Sequence, residues 1–164
     1  MLQKWIYLLV VFFLVFQGHA LADSGTEGVL QKLREDCQTL LIETYKNENS
    51  FVRAAVLRAA GESHDIKLIP LLTKGLEDYY PTARLFALQG LKNISRTAVL
   101  TAARKLTNDT DIWVRSAAVE ILGDEGGPEV AEEIRSYLKS YDVPMKLAAS
   151  AGLVKLGKKN YMKE

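Results

Sequence analysis

The stretch Asp-Ile-Trp-Val-Arg-Ser-Ala-Ala-Val-Glu-Ile-Leu-Gly, residues 111–123, decides the fold. Its apolar residues recur at intervals of three and four positions, at Val114, Ala117, Ala118, Ile121 and Leu122. This is the spacing of one apolar stripe along an α-helix. Asp111 stands directly before the stripe, where a carboxylate oxygen can accept hydrogen bonds from the free N–H groups of a first helical turn. The stretch therefore predicts a capped amphipathic helix.

The same pattern occurs four times at a constant interval, with copies that begin at Val52, Ala83, Val114 and Met145. We call the alignment of these copies the repeat register. Its second column is basic in every copy, and it holds Arg53, Arg84, Arg115 and Lys146. A fixed period of this length is typical of proteins built from stacked helical repeats. We refer to the four segments as the A helices.

Residues that favour a helix start precede each copy at equivalent positions, namely Asn49, Tyr80, Asp111 and Asp142. Three of them are N-cap residues, and Tyr80 is followed by Pro81, which suits the first helical position because it has no N–H to satisfy. Gly61 and Gly123 are predicted to act as the C-terminal caps of the first and third A helices. The fourth A helix is predicted from about Pro144 to Gly157.

A second helical pattern follows each of the first three A helices, with apolar stripes that begin at Leu68, Val99 and Val130. These are the B helices, and a further helix is predicted at about 27–45. An isolated helical hairpin cannot bury its apolar stripe, whereas stacked hairpins form a continuous core. The sequence thus predicts an all-α fold, an α-solenoid, as a single domain over residues 23–164. Its repeats start near 49, 80 and 111, with a final partial repeat from 142.

The short helical repeat with a Val-Arg-x-x-Ala start resembles the HEAT-like repeat family. Its short repeat length is similar to that of the phycobilisome-lyase-type branch of the family. The resemblance covers roughly residues 27–157, and its best match is the segment 111–123. It implies a scaffold for other macromolecules, with the B helices lining a concave surface, and it does not by itself imply an activity.

Residues 1–22 predict a secretory signal peptide. Lys4 precedes twelve apolar residues, Trp5 to Phe16, and the small residues Ala20 and Ala22 fit a signal-peptidase site. The apolar run is shorter than the roughly 20 residues that a membrane-spanning helix needs. We therefore expect cleavage after Ala22, export to the periplasm or the medium, and no stable membrane span afterwards. An uncleaved anchor is the alternative.

Charge and composition narrow the class of function. Without residues 1–22 the chain has 20 basic and 20 acidic side chains. Nucleic-acid binding relies on a basic excess, so nucleic acid is not an expected partner. His64 is the one histidine after residue 22, whereas zinc sites recruit several His or Cys ligands. We expect no catalytic, cofactor-binding or metal-binding residue, and we expect Cys37 to be a buried core thiol.

The arginine column, Arg53, Arg84 and Arg115, is interpreted as a structural ladder. A cation near a helix N-terminus faces the positive end of the helix dipole and needs an acidic partner. Asp78 and Asp109 lie six residues before Arg84 and Arg115, and the same residues can also pair between adjacent repeats. Binding of an anionic ligand by the column is the alternative.

Aromatic residues gather at the turns that lead into the A helices, at Phe51, Tyr79, Tyr80, Trp113 and Tyr141. A row of such rings along one edge suits protein binding, and Tyr79, Tyr80 and Trp113 are the predicted contact residues. The alternative is that each ring packs against the neighbouring repeat.

Charged residues on the B helices form a second candidate surface. Its basic members are Lys67, Lys74, Arg104 and Lys105, and its acidic members are Glu129, Glu132 and Glu133. The change of sign along this face can select the polarity of a partner. A solvated face without a partner is the alternative.

The C-terminal A helix carries more apolar residues than one stripe needs, among them Leu147 and Val154. The open face suggests a homodimer through this helix, unless Lys158 to Glu164 covers it. Together these features predict an exported, non-catalytic adaptor or scaffold whose partner is another protein. The alternatives are an accessory subunit or lyase-like enzyme component that handles a chromophore or other small ligand, and a purely structural assembly unit.

Overall fold

The computed structural model describes residues 24–161, with side chains described for 26–157. The predicted signal peptide lies outside the described residues. Across 24–161 the chain forms eight α-helices and three short 3₁₀ turns, and it has no strand. The prediction of an all-α solenoid is confirmed. None of these helices is both long and apolar enough to cross a membrane.

The described residues fall into two units, with the boundary between Cys37 and Gln38. The first helix, α1 (Ser24–Thr44), runs across this division. The A helices are α2 (Ser50–Glu62), α4 (Pro81–Ile94), α6 (Ile112–Glu125) and α8 (Val143–Tyr161). The B helices are α3 (Ile69–Gly75), α5 (Arg96–Leu106) and α7 (Ala131–Ser136). The 3₁₀ turns cover Ile66–Leu68, Pro128–Val130 and Tyr137–Lys139.

Side-chain caps start two of the A helices. The Asn49 side chain accepts a hydrogen bond from the N–H of Phe51, at 2.9 Å. The Asp111 carboxylate accepts from the N–H groups of Trp113 and Val114, at 2.9 and 3.1 Å. Tyr80 makes no side-chain cap, and Pro81 occupies the first helical turn instead. A proline there costs no hydrogen bond, because the first N–H groups of a helix have no partner within the helix.

The predicted role of Gly61 and Gly123 as helix caps is wrong. Their helices end at Glu62 and Glu125, and none of the described glycines has a positive φ. Both glycines instead permit a close helix contact: a Cβ atom at Gly61 would overlap Gly90 Cα, and one at Gly123 would lie 2.5 Å from Gly152 Cα. They are needed for packing and not for turning the chain.

These contacts group the A helices into two close pairs, α2 with α4 and α6 with α8. In the repeat register the matching positions between α4 and α6 are Lys92 and Ile121, which carry long side chains. There the helices pack less closely, and Lys92 Nζ reaches Asp124 Oδ2 at 2.8 Å. Close packing thus recurs only at every second repeat. We call the alignment of positions two repeats apart the double-repeat register.

The apolar stripes of the A and B helices meet in one continuous core. Its largest fully buried residues include Leu57, Leu72, Leu88, Leu122 and Ile134. Each buried side chain of this size stabilises the fold by about 1.5–3 kcal/mol. Because every repeat contacts mainly its neighbours, this core keeps the A-helix starts aligned along one edge.

Two further sequence predictions are corrected. Cys37 is exposed and is a free thiol, not a core residue. The core of Gln38–Glu164 begins about one turn later, at Leu41, and continues with Tyr45. The C-terminal helix does not end at Gly157 but continues to Tyr161.

Candidate functional site

Three arginine–aspartate pairs connect consecutive A helices. Arg53 Nε and Nη2 donate to the two oxygens of Asp78 at 2.7 and 2.9 Å. Arg84 makes the same fork to Asp109, at 2.8 and 2.6 Å. Each pair joins an A helix to the loop before the next A helix, so the carboxylate comes from the neighbouring repeat. Two parallel charge-assisted hydrogen bonds fix distance and orientation together.

Each arginine also donates through Nη1 to two backbone carbonyls of the loop before its own helix. The acceptors are Asn47 and Glu48 for Arg53, Asp78 and Tyr79 for Arg84, and Asp109 and Thr110 for Arg115. These loop carbonyls have no helical partner, so the arginines satisfy groups that would otherwise need water. Because the guanidinium forks point at protein acceptors, the geometry favours a structural role over an anion site.

The pair Arg53–Asp78 is buried and has an additional hydrogen-bond partner, Tyr45. The side chains of Arg53 and Asp78 are only 10% and 3% exposed, and the Tyr45 hydroxyl donates to Asp78 Oδ2 at 3.1 Å. Burial, together with the nearby negative charge, raises the pKa of Tyr45 to about 12. Burial also raises the pKa of Asp78, but hydrogen bonds from Arg53, the Tyr80 N–H and Tyr45 outweigh it, so this pKa is lowered overall.

The third pair departs from the register. Position 140, which corresponds to Asp78 and Asp109, is a serine, and Arg115 donates to Asp142 instead, at 2.9 and 2.5 Å. This pair is also more open, with side chains 21% and 30% exposed. Sequence reasoning assigned Asp142 only as a helix cap and missed it as a ladder partner, because it lies two residues past the expected position.

Exposed aromatic rings lie at the starts of the A helices. Phe51, Tyr79, Trp113 and Tyr141 are between 63% and 99% exposed. Tyr80, which is also a predicted contact residue, is half-buried and packs against the core. The exposed rings do not form an unbroken row. Phe51 and Trp113 match in the double-repeat register, as do Tyr79 and Tyr141, and threonines, Thr82 and Thr110, occupy the positions halfway between.

The double-repeat register therefore groups the exposed rings into two sets. We call Phe51 with Tyr79 the first aromatic site, and Trp113 with Tyr141 the second aromatic site. At the first, the Tyr79 ring centroid lies 4.6 Å from Arg53 Cζ, and the Phe51 ring packs edge-on against Tyr80 with centroids 5.4 Å apart. A cation over a ring face stabilises the ring position.

Most of the charged B-helix candidates take part in local contacts. Lys105 Nζ lies 2.8 Å from Glu77, and Arg104 Nε lies 3.2 Å from Glu133, both between neighbouring repeats. Lys74 Nζ lies 5.6 Å from the Tyr45 ring centroid, and Glu132 pairs with Arg135 at 3.1 Å. Lys67 and Glu129 are exposed. Ion pairs between repeats partly neutralise the predicted change of sign, which reduces the field that a partner would meet.

A polar network missing from the sequence predictions lies near the C-terminal ends of the A helices. Asp124 on α6 accepts from Lys92 on α4 at 2.8 Å and from Lys155 on α8 at 2.5 Å. Burial raises the pKa of Asp124, but the two lysines lower it further than burial raises it. The hydrogen bond to Asp124 also raises the pKa of Lys155. These contacts connect the two close helix pairs at the end opposite the aromatic sites.

The HEAT-repeat family model matches residues 69–154, which is more than half of the chain. The chain belongs to the HEAT-repeat family. HEAT repeats are generally scaffolds for protein interaction. No curated protein matched the sequence. The match begins within the first B helix and ends within the fourth A helix, so it covers the second aromatic site and Tyr79 of the first.

No group of three or more His, Cys, Asp or Glu side chains in the described part of the chain is arranged to hold a metal ion. His64 is exposed, and its Nδ1 lies 2.9 Å from the Glu62 carbonyl. On and beside the A helices, the exposed large apolar side chains are the rings at the helix starts and the apolar residues of α8.

Proposed function

We propose that this HEAT-repeat protein is an exported, non-catalytic adaptor that binds another protein through its two aromatic sites. The observation that carries the proposal is the exposure of four large rings at the starts of the A helices. Exposed aromatic side chains offer a large apolar area at a low entropic cost, and such rings dominate protein interfaces. The export step rests on the sequence of residues 1–22.

The ladder beneath the rings supports this role. At the first site, the pair Arg53–Asp78 joins the loop that carries Tyr79 to the helix that carries Phe51. At the second site, the pair Arg115–Asp142 joins the loop that carries Tyr141 to the helix that carries Trp113. Loops that are joined to a helix in this way lose less backbone freedom when a partner binds, which favours affinity. The charged B-helix face is a weaker candidate because several of its side chains are paired within the protein.

We also propose that α8 pairs with α8 of a second copy. Val143, Leu147 and Val154 are 58–66% exposed, and Ala151 between them is exposed too. At about 100° per residue, these four lie within roughly 80° of one another around the helix. In the double-repeat register Val154 corresponds to Lys92, whose ammonium group contacts α6. The exposed apolar residues of α8 thus correspond to the face of α4 that packs against the next A helix, α6.

Crosslinking followed by mass spectrometry in the source cells tests the adaptor role. We expect wild-type protein and the control Ile66→Ala, which changes an exposed apolar residue away from the rings, to give the same crosslinked partner. Trp113→Ala and the pair Phe51→Ala with Tyr79→Ala should lose it while the helical spectrum is retained. Capture that survives both aromatic variants would overturn the assignment. A visible chromophore in the purified protein would favour the narrower resemblance to the lyase branch instead.

A further inference from the structure

We infer that the two aromatic sites bind one extended, uncharged, proline-containing segment of the partner at two points. This inference rests on the proposed function, because it names the partner class of the same surface. It follows from the double-repeat register, the shared support of the two sites and the chemistry of their surroundings.

The register makes the sites equivalent. Each close pair of A helices presents one ring at the start of its first helix, Phe51 or Trp113, and one tyrosine before its second helix, Tyr79 or Tyr141. The intervening junction presents only threonine at both positions. Two similar sites, separated by a junction with small polar side chains, can bind a ligand in which a short motif is repeated.

The support of each site is also shared. In both, an arginine two residues after the helix-start ring donates to an aspartate adjacent to the tyrosine. The sites are not identical: Tyr79 lies over Arg53, whereas Tyr141 is 99% exposed. We therefore expect the first site to be the more preorganised and the second to order its tyrosine on binding.

The charged groups that support the rings are paired within the protein, which favours an uncharged ligand segment. Arg53 and Arg115 direct their donors at aspartates and loop carbonyls, and those aspartates accept from the arginines. The charged pairs that support the two sites therefore neutralise one another. Aromatic side chains are the usual contacts of proline-rich segments, whose polyproline II conformation is extended before binding and loses little entropy.

Geometry sets the spacing of the two anchors. The sites are two A-helix steps apart, and helices pack at about 8–10 Å, so the separation is roughly 20 Å. A polyproline II segment rises about 3.1 Å per residue, so about six residues cover that distance. A segment that reaches both sites gains affinity because its second contact forms within the complex, and such gains are commonly about 10²-fold or more.

Fluorescein-labelled triproline and decaproline test this, measured by fluorescence anisotropy with the full chain. Triproline reaches one site, whereas decaproline reaches both. We expect decaproline to bind at least about tenfold more tightly than triproline. Phe51→Ala with Tyr79→Ala, or Trp113→Ala with Tyr141→Ala, should each remove that gain and leave binding at the triproline level. Ile66→Ala is the matched control and should keep the full gain, and circular dichroism checks that every variant is folded.

Equal affinity for the two peptides, or a gain that depends on one site alone, would overturn two-point binding. Absence of binding to either peptide would overturn the proline-containing partner class, as would ring-dependent binding to phosphatidylcholine vesicles in place of the peptides. These outcomes are separable from the adaptor proposal. The adaptor proposal fails only when the native crosslinked partner is retained by both aromatic variants.

Discussion

Gly61 of α2 and Gly90 of α4 face each other so closely that a Cβ atom on Gly61 would overlap the Cα atom of Gly90. The same relationship recurs two repeats later between Gly123 and Gly152. Direct backbone contact brings the two helices of each pair together away from their starts, whereas Arg53–Asp78 and Arg115–Asp142 join the pairs at their starting loops. Those loops carry Tyr79 and Tyr141, and the first turns of the preceding A helices carry Phe51 and Trp113.

Gly61→Ala should destabilise the fold by about 1–3 kcal/mol, because the added methyl group must push α2 and α4 apart. This is opposite in sign to the intrinsic preference of about 1 kcal/mol for alanine over glycine within a helix. Gly28→Ala in α1 is the control, since nothing lies within 4 Å of a Cβ atom there. Urea unfolding measures both, and equal effects of the two substitutions would contradict the packing role.

Arg84→Ala should lower the free energy of unfolding by about 3–5 kcal/mol, because it leaves the buried Asp109 carboxylate without its partner. Arg115→Ala should cost less, about 1–3 kcal/mol, since its pair with Asp142 is more exposed. Both should alter stability more than partner affinity. Unchanged melting with lost capture would reverse the assignment and make the arginines binding residues.

Stability should fall in acid partly through Asp78. Its pKa is lowered in the folded state, so its contribution is present above the ordinary value of about 3.9 and is lost as the pH drops through the lower folded value. Asp78→Asn removes this titration. The stability difference between wild type and this variant should therefore be large at neutral pH and shrink below about pH 4. A difference that stays constant across that range would exclude Asp78 as the titrating group.

Leu147→Glu with Val154→Glu should abolish self-association through α8 while leaving the melting temperature nearly unchanged, because both side chains are exposed in the single chain. Sedimentation of wild type and variant at micromolar concentration measures the effect. Ile66→Glu provides an exposed apolar control on a different element. Lost stability with unchanged association would mean that the stripe is covered within the chain.

Cleavage after Ala22 is expected in exported protein, because the short apolar run ends in the Ala-Leu-Ala triplet. Intact-mass measurement would then give a chain that begins at Asp23. Exported protein that begins at Met1 would contradict this prediction and favour the anchor alternative.

The fold could be predicted from the sequence because the residues that determine it recur at a fixed interval. Arg84 and Val114 recur in a strict register, so the helix starts and the apolar stripes could be assigned before any contact was known. Contacts that depart from the repeat register could not be predicted in this way. The pairing of Arg115 with Asp142 depends on a serine replacing the expected aspartate, and no local pattern reveals which neighbouring carboxylate substitutes for it.

The glycines show a second limit. A glycine near a helix end suggests a cap, whereas close contact with a glycine in another helix depends on two positions that lie far apart in the chain. The burial of side chains in the first helix was equally difficult to predict from the sequence. Cys37 fits an apolar stripe in the sequence, yet it is exposed because the core begins only after it. Exposure of Tyr79 beside half-buried Tyr80 likewise depends on the turn geometry.

The alternation of close and open helix contacts also limits how this array can be lengthened or shortened. Removal of the single repeat that contains Gly90 would place Gly61 opposite Ile121, whose side chain needs more space than the Cα atom of Gly90 leaves. Removal or addition of two repeats together would keep every glycine opposite a glycine. The modular unit of this protein is therefore a pair of hairpins, and a designer who changes its length should add or remove hairpins two at a time.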